Sequence, residues 1–101
     1  MIKYTDSLEN ITTDKLDGFF VGWPNPPSTE THLKILEQSY FAVLAVDAET
    51  ERVVGFVNAI SDGLLCAYLP LLEVLPEYRG QGIGQELMRR MLARFEDMYM
   101  V

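Results

Sequence analysis

The chain has 101 residues, of which 49% are apolar and 23% are charged, and its formal net charge is −7. This length and composition are typical of one globular domain and leave too little apolar surface for a second core. The acidic charge argues against nonspecific nucleic-acid binding, which requires a basic surface. It is compatible with a cationic substrate, although an acidic surface also serves solubility alone.

The cysteine content and the apolar stretches predict the compartment. Cys66 is the only cysteine, so no disulfide forms within the chain, and its apolar surroundings predict a buried, inert thiol. The N-terminal segment lacks the apolar core of a signal peptide. The longest apolar stretch, residues 64–76, contains Glu73 and two prolines and is too short to cross a bilayer. We therefore expect a cytoplasmic protein that contacts no membrane.

The first part of the chain predicts one short strand and two helices. Residues 2–5 form the strand, and residues 12–20 place apolar side chains at helical spacing behind a threonine N-cap. Residues 22–27, GWPNPP, then interrupt the chain. Ser28 is the expected N-cap of a second helix over residues 29–39.

The second part predicts a sheet and a long helix. Residues 39–46 and 53–60 are apolar runs joined by a polar turn, which is typical of an antiparallel hairpin. Residues 64–75 predict a third strand, in which Pro70 marks an edge or a bulge because proline donates no hydrogen bond. A helix begins near Gln81, since apolar residues recur on one face from there onward.

The order β-α-α-β-β-β-α predicts an α+β fold, an α/β sandwich in which helices flank a mixed, mostly antiparallel sheet. Residues 98–101, MYMV, have the character of the opening of another strand. A short apolar strand needs a partner. We expect it to pair within the sheet, to pair with a second copy in a homodimer, or to be cut short, and the sequence leaves these alternatives open.

The turn before the last helix contains three alternating glycines behind Arg79, in the sequence RGQGIG at residues 79–84. A helix N-terminus presents unsatisfied backbone N–H groups and the positive end of the helix dipole. Without a Cβ, glycine lets a phosphate approach those groups closely, and the arginine adds a charge-assisted contact. We interpret the turn as an anion site rather than a plain strand–helix connection.

The spacing of these glycines argues against two common nucleotide-binding loops. A Walker loop requires a lysine followed by serine or threonine, and none follows these glycines. The Rossmann fingerprint requires GxGxxG early in a βαβ unit, whereas this chain has GxGxG late, behind an expected meander.

Residues 71–92 resemble motif A of the GNAT acetyltransferase superfamily. That motif has Gln or Arg, two residues, Gly, one residue, then Gly or Ala, behind a strand of the form L-x-V-x-P. The matching residues are Leu72, Val74 and Pro76 in the strand and Arg79, Gly82 and Gly84 in the turn. The element order also matches the N-terminal half of the family's fold, so the resemblance implies a single acyl-CoA N-acyltransferase domain over residues 1–101.

The resemblance implies acetyl-CoA as cosubstrate and direct transfer of its acetyl group to a primary amine of a small molecule or peptide. It implies no metal and no nucleic acid. The backbone of Leu72 and Val74 would bind the pantetheine arm as an added strand. The residues whose backbone would bind the pyrophosphate are Arg79, Gly80, Gln81, Gly82, Ile83 and Gly84.

The catalytic residues are less evident, because family members place bases on a fifth strand and a thiolate-protonating tyrosine beyond it. This chain ends where that strand would begin. Glu73 is a candidate base and Tyr68 a candidate acid, but Glu73 also fits a solvent-facing strand residue. Tyr68 has the parity of Leu72 and Val74, which suits a core or cleft-lining side chain. The alternative is a noncatalytic CoA-binding or oligomerisation module.

Two further groups of side chains have competing interpretations. His32 is expected on the surface or between the helices, and three arginines on the last helix are expected to form a solvated face. Two aromatic residues at the proline-rich break either line an acceptor pocket or plug the sheet. The arginines are Arg89, Arg90 and Arg94, and the aromatic residues are Phe20 before the break and Trp23 within it.

Overall fold

A computed structural model describes residues 1–96 of the chain. Its elements, in chain order, are β1 (Ile2–Thr5), a 3-10 turn (Thr13–Leu16), α1 (Thr29–Gln38), β2 (Phe41–Asp47), β3 (Val53–Ser61), β4 (Ala67–Val74), a second 3-10 turn (Pro76–Tyr78) and α2 (Ile83–Arg94). The four strands form one sheet in the order β1-β2-β3-β4, and each neighbouring pair is antiparallel. The predicted α+β fold is confirmed, and the strand predicted at residues 98–101 lies outside the described residues.

The sheet has a core on each face. α2 covers one face with Ile83, Leu87 and Met91, which are at most 3% exposed. α1 and the first 3-10 turn cover the other face, where Leu36 and Phe56 pack together. Because the apolar residues of α2 recur at helical spacing, one side of the helix is buried while its arginines stay outside.

The helix predicted over residues 12–20 is much shorter in the structure. Only Thr13–Leu16 is helical, as a single 3-10 turn, and Asp17 is already extended. Gly18 and Phe20 then adopt left-handed backbone angles, with φ of +93° and +64°. A right-handed helix does not pass through such residues, so the segment continues as a loop. The helix predicted at 29–39 is confirmed as α1, and its N-cap Ser28 accepts the N–H of Thr31.

Pro70 was predicted to mark an edge or a bulge, and in the structure it lies in a bulge. Asn58 of β3 faces Leu71 of β4, but Ile60 faces Tyr68, so β4 contains one extra residue between these pairs. One extra residue reverses the alternation of side chains beyond it. The parity predicted for Tyr68 is therefore wrong: it shares its face with Leu71, not with Leu72, and it is 67% exposed.

The prediction of a buried thiol is also wrong, because Cys66 is exposed. β4 begins only at Ala67, so Cys66 belongs to the loop that precedes it. In that loop, Asp62 Oδ1 accepts the N–H groups of Leu64, Leu65 and Cys66 at 2.9, 2.9 and 3.3 Å. These three hydrogen bonds join the backbone of the loop to one carboxylate, and they lower the pKa of Asp62.

The three arginines of α2 are exposed, as predicted for a solvated face. Arg89 and Arg90 both pair with Glu86. Arg90 also lies 4.7 Å from the ring centroid of Tyr4, and Arg94 lies 5.2 Å from that of Phe41. Cation–π contact thus attaches the helix to the first two strands. Neither α1 nor α2 has the length and apolar character of a membrane-spanning helix.

Candidate functional site

A cavity of about 800 Å³ lies between the end of β4, the glycine turn and the loop that precedes α1. The strand, the turn and the loop meet here because β4 runs directly into the turn that starts α2. The residues that line the cavity are Val21, Trp23, Leu72, Glu73, Val74, Tyr78, Arg79, Gly80, Gly82, Ile83, Gly84 and Gln85. The structure therefore brings together all the predicted cofactor-binding residues except Gln81, which is in the turn but outside this lining.

The edge of β4 presents free backbone groups to this cavity. The N–H of Leu75 donates to the carbonyl of Val54 on β3 at 2.8 Å. Because backbone groups alternate along a strand, Glu73 and Leu71 also face β3, whereas Leu72 and Val74 direct their N–H and C=O groups away from it. Within residues 1–96 no strand pairs with β4 on that side. An extended ligand can therefore hydrogen-bond to Leu72 and Val74 as an added strand.

Arg79 connects the strand edge to the turn. Its Nε donates to the carbonyl of Val74 at 3.1 Å, which satisfies one of the outward-facing groups of β4. This contact holds the guanidinium at the mouth of the cavity, beside the glycines. A fixed positive charge at this place favours an anionic ligand.

The glycines shape the turn by their backbone angles. Gly80 and Gly82 both have a φ of +82°, a left-handed conformation that other residues rarely adopt. A Cβ added at either position would meet no protein atom within 4 Å. The space beside them is therefore open toward the cavity, so a ligand can approach the bare backbone.

The start of α2 provides unsatisfied donors. Gly82 is the N-cap and provides no side-chain hydrogen bond, while the first intrahelical bond runs from Glu86 N–H to Gly82 O at 3.1 Å. The N–H groups of residues 83–85 therefore have no acceptor within the helix. Together with the helix dipole, they form a site suited to phosphate oxygens.

The opposite wall comes from the loop before α1. Trp23 and Val21 line the cavity, and Glu73 reaches the same loop with its carboxylate, whose Oε1 accepts the Phe20 N–H at 2.9 Å. Phe20 is 3% exposed, and its ring packs 4.9 Å from that of Trp23. Phe20 is therefore a buried plug over the sheet, whereas Trp23 lines the cavity beside the glycine turn.

Tyr68 does not line this cavity; it precedes the bulge in β4 and is 67% exposed. His32 is buried, at 1% exposure, among the rings of Phe19, Phe20 and Phe56. Its surface placement is excluded, and it lies between α1 and the sheet. Burial lowers the pKa of His32 to about 4.

Three lining residues, Val21, Tyr78 and Gln85, were not singled out by the sequence. Val21 carries no local signal, since only the loop's path brings it to the cavity. The hydroxyl of Tyr78 donates to Asp47 Oδ2 at 2.8 Å, and this hydrogen bond raises the pKa of Tyr78. The phenol therefore braces the turn against β2. Within residues 1–96, no group of three metal-ligating side chains lies close together.

The sequence profile of the Acetyltransferase (GNAT) family matches residues 8–100. No curated protein matches the chain in sequence. Among solved structures, a putative acetyltransferase from Deinococcus radiodurans R1 is 50% identical with a TM-score of 0.95, over 99% of this chain and 69% of that one. A GNAT family protein from Streptococcus pneumoniae TIGR4 is 33% identical with a TM-score of 0.69, over 100% of this chain and 74% of that one.

A third similar structure is an aminoglycoside 6'-N-acetyltransferase complexed with coenzyme A. It is 25% identical, with a TM-score of 0.73, over 99% of this chain and 57% of that one.

Proposed function

Because the chain belongs to the GNAT acetyltransferase family, we propose that it binds acetyl-CoA between β4 and α2 and transfers the acetyl group to a primary amine. One observation carries this proposal: the free edge of β4 leads directly to the left-handed glycine turn at the start of α2. The edge matches an extended arm with amide groups, and the turn matches a pyrophosphate. CoA has both parts in this order.

The proposed contacts divide the cofactor between two elements. The backbone of Leu72 and Val74 binds the pantetheine arm, and the N–H groups of residues 83–85 bind the pyrophosphate with help from Arg79. The coenzyme A complex of a similar acetyltransferase supports this choice of ligand. The absence of a Cβ at Gly80 and Gly82 keeps the phosphate side open.

The proposed reaction forms a C–N bond and breaks the thioester C–S bond. A neutral amine attacks the carbonyl carbon, and the oxygen takes up negative charge. The amine nitrogen then loses one proton to a base, and the departing thiolate takes a proton from an acid. The outward N–H of Leu72, which is farther from the turn than Val74, is the donor on this edge that would stabilise that oxygen, and its carbonyl remains available to the pantetheine arm. Glu73 is the one carboxylate in the described lining, whereas Tyr68 is outside it.

Isothermal titration with CoA tests the cofactor assignment. We expect Gly82→Glu to abolish binding, because its side chain fills the space beside the turn and brings negative charge to the phosphates. Gln81→Glu is the matched control, since it adds the same charge one residue away, outside the cavity lining. We expect less than about a tenfold loss for the control, which corresponds to 1.4 kcal/mol. Equal affinities for the wild type and Gly82→Glu would contradict the assignment.

A second candidate is a noncatalytic module that binds CoA, with or without self-association through residues 98–101. It is favoured by the state of the two candidate catalytic side chains: Tyr68 lies outside the cavity, and the Glu73 carboxylate is bonded to the Phe20 N–H. Release of free CoA from acetyl-CoA, measured over a panel of primary amines, separates the two functions. Turnover with any amine excludes the module, and light scattering on the same sample tests for a dimer.

A further inference from the structure

Glu73 connects two parts of the molecule that are far apart in sequence. It lies on β4 between Leu72 and Val74, but strand alternation turns its side chain to the opposite face of the sheet. On that face its Oε1 accepts the N–H of Phe20, 53 residues earlier, at 2.9 Å in a partly buried environment. The partner belongs to residues 17–27, which we name the Trp23 loop.

Phe20 has a backbone conformation that needs support. Its φ of +64° lies in the left-handed region, which is unusual for a bulky side chain. Such conformations persist where surrounding contacts enforce them. The ring is fixed by Phe56 and His32 in the core, and the N–H is fixed by the Glu73 carboxylate.

Phe20 in turn fixes Trp23. The carbonyl of Phe20 accepts the N–H of Trp23 at 3.2 Å, which closes a tight turn. Gly22 occupies this turn with a φ of +85°, so the chain reverses there. The indole then stands against the Phe20 ring, 46% exposed, on the wall of the cofactor cavity. A continuous path of hydrogen bonds thus leads from Glu73 to Trp23.

We propose that Glu73 is a positioning residue: its carboxylate fixes Phe20, and through Phe20 it places Trp23 as the cavity wall opposite the glycine turn. Any effect of that wall on binding of the amine substrate rests on the proposed function. If Glu73 acted as a general base, its carboxylate would take up a proton, which the neutral amide of glutamine does not do. A positioning residue needs only a hydrogen-bond acceptor of the same length, and the amide oxygen of glutamine provides one.

Trp23 is the only tryptophan in the chain, so its fluorescence reports the loop without any ligand. The experiment compares acrylamide quenching in the wild type, Glu73→Gln and Glu73→Met. Methionine has a similar length but lacks an oxygen acceptor. We expect the quenching constant of Glu73→Met to rise by about twofold, because a released indole goes from 46% exposure to nearly full exposure. Glu73→Gln should match the wild type.

Glu77→Met is the matched control, since it removes an exposed carboxylate whose contact is a 4.0 Å ion pair with Arg52. It should leave quenching unchanged. Equal quenching in Glu73→Met and the wild type overturns the proposal. An equal rise of the quenching constant in Glu73→Gln and Glu73→Met also overturns the proposal. In that case the hydrogen-bond acceptor at position 73 would not be what holds the loop.

Amide hydrogen exchange on the unmodified protein provides an independent test, which holds even if Glu73→Met does not fold. The Phe20 N–H should exchange at least about tenfold more slowly than the Val21 N–H of the same loop. Equal exchange rates overturn the proposal. The wild type is also titrated with CoA. If it binds no CoA, the proposed function is refuted, but the positioning role of Glu73 is not. The quenching and exchange results test only the role of Glu73 in the Trp23 loop.

Discussion

The alternating glycines of the turn differ in what they require of the chain. Gly82 has a φ of +82° and ends the turn as the N-cap of α2, whereas Gly84 lies inside the helix. A Cβ at Gly84 would lie 3.8 Å from Val74 Cγ2, an ordinary contact. Gly82 is therefore required by its backbone angle, and Gly84 is not.

Alanine at these two positions should have opposite effects on stability. We expect Gly82→Ala to lower the free energy of unfolding by about 1–2 kcal/mol, because alanine is strained in the left-handed conformation. Gly84→Ala should raise it by up to about 1 kcal/mol through helix propensity. Urea unfolding measures both. CoA titration should show weakened binding only for Gly82→Ala, and a similar loss for Gly84→Ala would refute the distinction.

At the scale of elements, α1 is attached to the sheet through a buried histidine. The His32 ring lies 4.4 Å from that of Phe56 and 4.9 Å from that of Phe20. Neither ring nitrogen has a hydrogen-bond partner among residues 1–96. Asp17 is the charged residue that shares a small neighbouring cavity of about 200 Å³ with His32. Desolvation dominates and lowers the pKa of His32 to about 4.

Acidification should therefore loosen this attachment. The unfolded chain takes up a proton at His32 near pH 6.5, whereas the folded chain does so only near pH 4. The contribution of neutral His32 to the free energy of unfolding is fully present above pH 6.5. It is lost as the pH is lowered toward 4, which reduces the free energy of unfolding by about 3 kcal/mol in total. Urea unfolding at pH 7.5 and pH 4.5 measures the loss. Hydrogen bonds from Arg89 and Arg90 lower the pKa of Glu86 to about 2. The stability that this carboxylate contributes is lost only as the pH falls below about 4.5.

His32→Leu is the control for this pH dependence. Leucine lacks the two unpaired ring nitrogens and fills the site with an apolar side chain of similar size. We expect a gain of about 1–3 kcal/mol at pH 7.5 and little change between pH 7.5 and 4.5. If the wild type and His32→Leu lose the same free energy on acidification, His32 is not the titrating group.

At the scale of the whole molecule, Gly55 sets the distance between α2 and the sheet. A Cβ at this position of β3 would lie 3.1 Å from Leu87 Cδ1, 3.2 Å from Ile83 Cγ2 and 3.3 Å from the Glu73 carbonyl oxygen. The helix and the neighbouring strand therefore approach Gly55 so closely that a Cβ there would force them to shift by a few tenths of an ångström. The same helix and strand contribute to the lining of the cavity proposed to bind CoA.

Gly55→Ala should disturb both stability and ligand binding from inside the core. Overpacking should lower the free energy of unfolding by about 1–3 kcal/mol, and the displaced helix should weaken CoA binding. Leu36→Ala is the control on the other face of the sheet, where truncation should lower stability by about 2–5 kcal/mol. Its CoA affinity should equal that of the wild type. Equal CoA losses in both variants would show that instability alone is responsible.

Local patterns predicted the framework and the cofactor side of the site. The helical spacing of Ile83, Leu87 and Met91 predicted the buried face of α2, because a 3.6-residue period and burial on one side are properties of the segment itself. The glycine turn was recognisable for a similar reason, since left-handed angles and bare N–H groups require particular residues at particular positions. The resemblance to motif A then identified the family to which the chain belongs.

Tertiary contacts determined the rest, because the interactions responsible join residues that are distant in sequence. One extra residue beside Pro70 put Tyr68 on the same face as Leu71, and its effect appears only in the pairing with β3. Left-handed angles at Gly18 and Phe20 shortened the helix predicted at 12–20. The sequence by itself thus determined the four strands, α1, α2 and the glycine turn. Only the folded chain decided which side chains face that turn, since Glu73 and the Trp23 loop meet there across 53 residues.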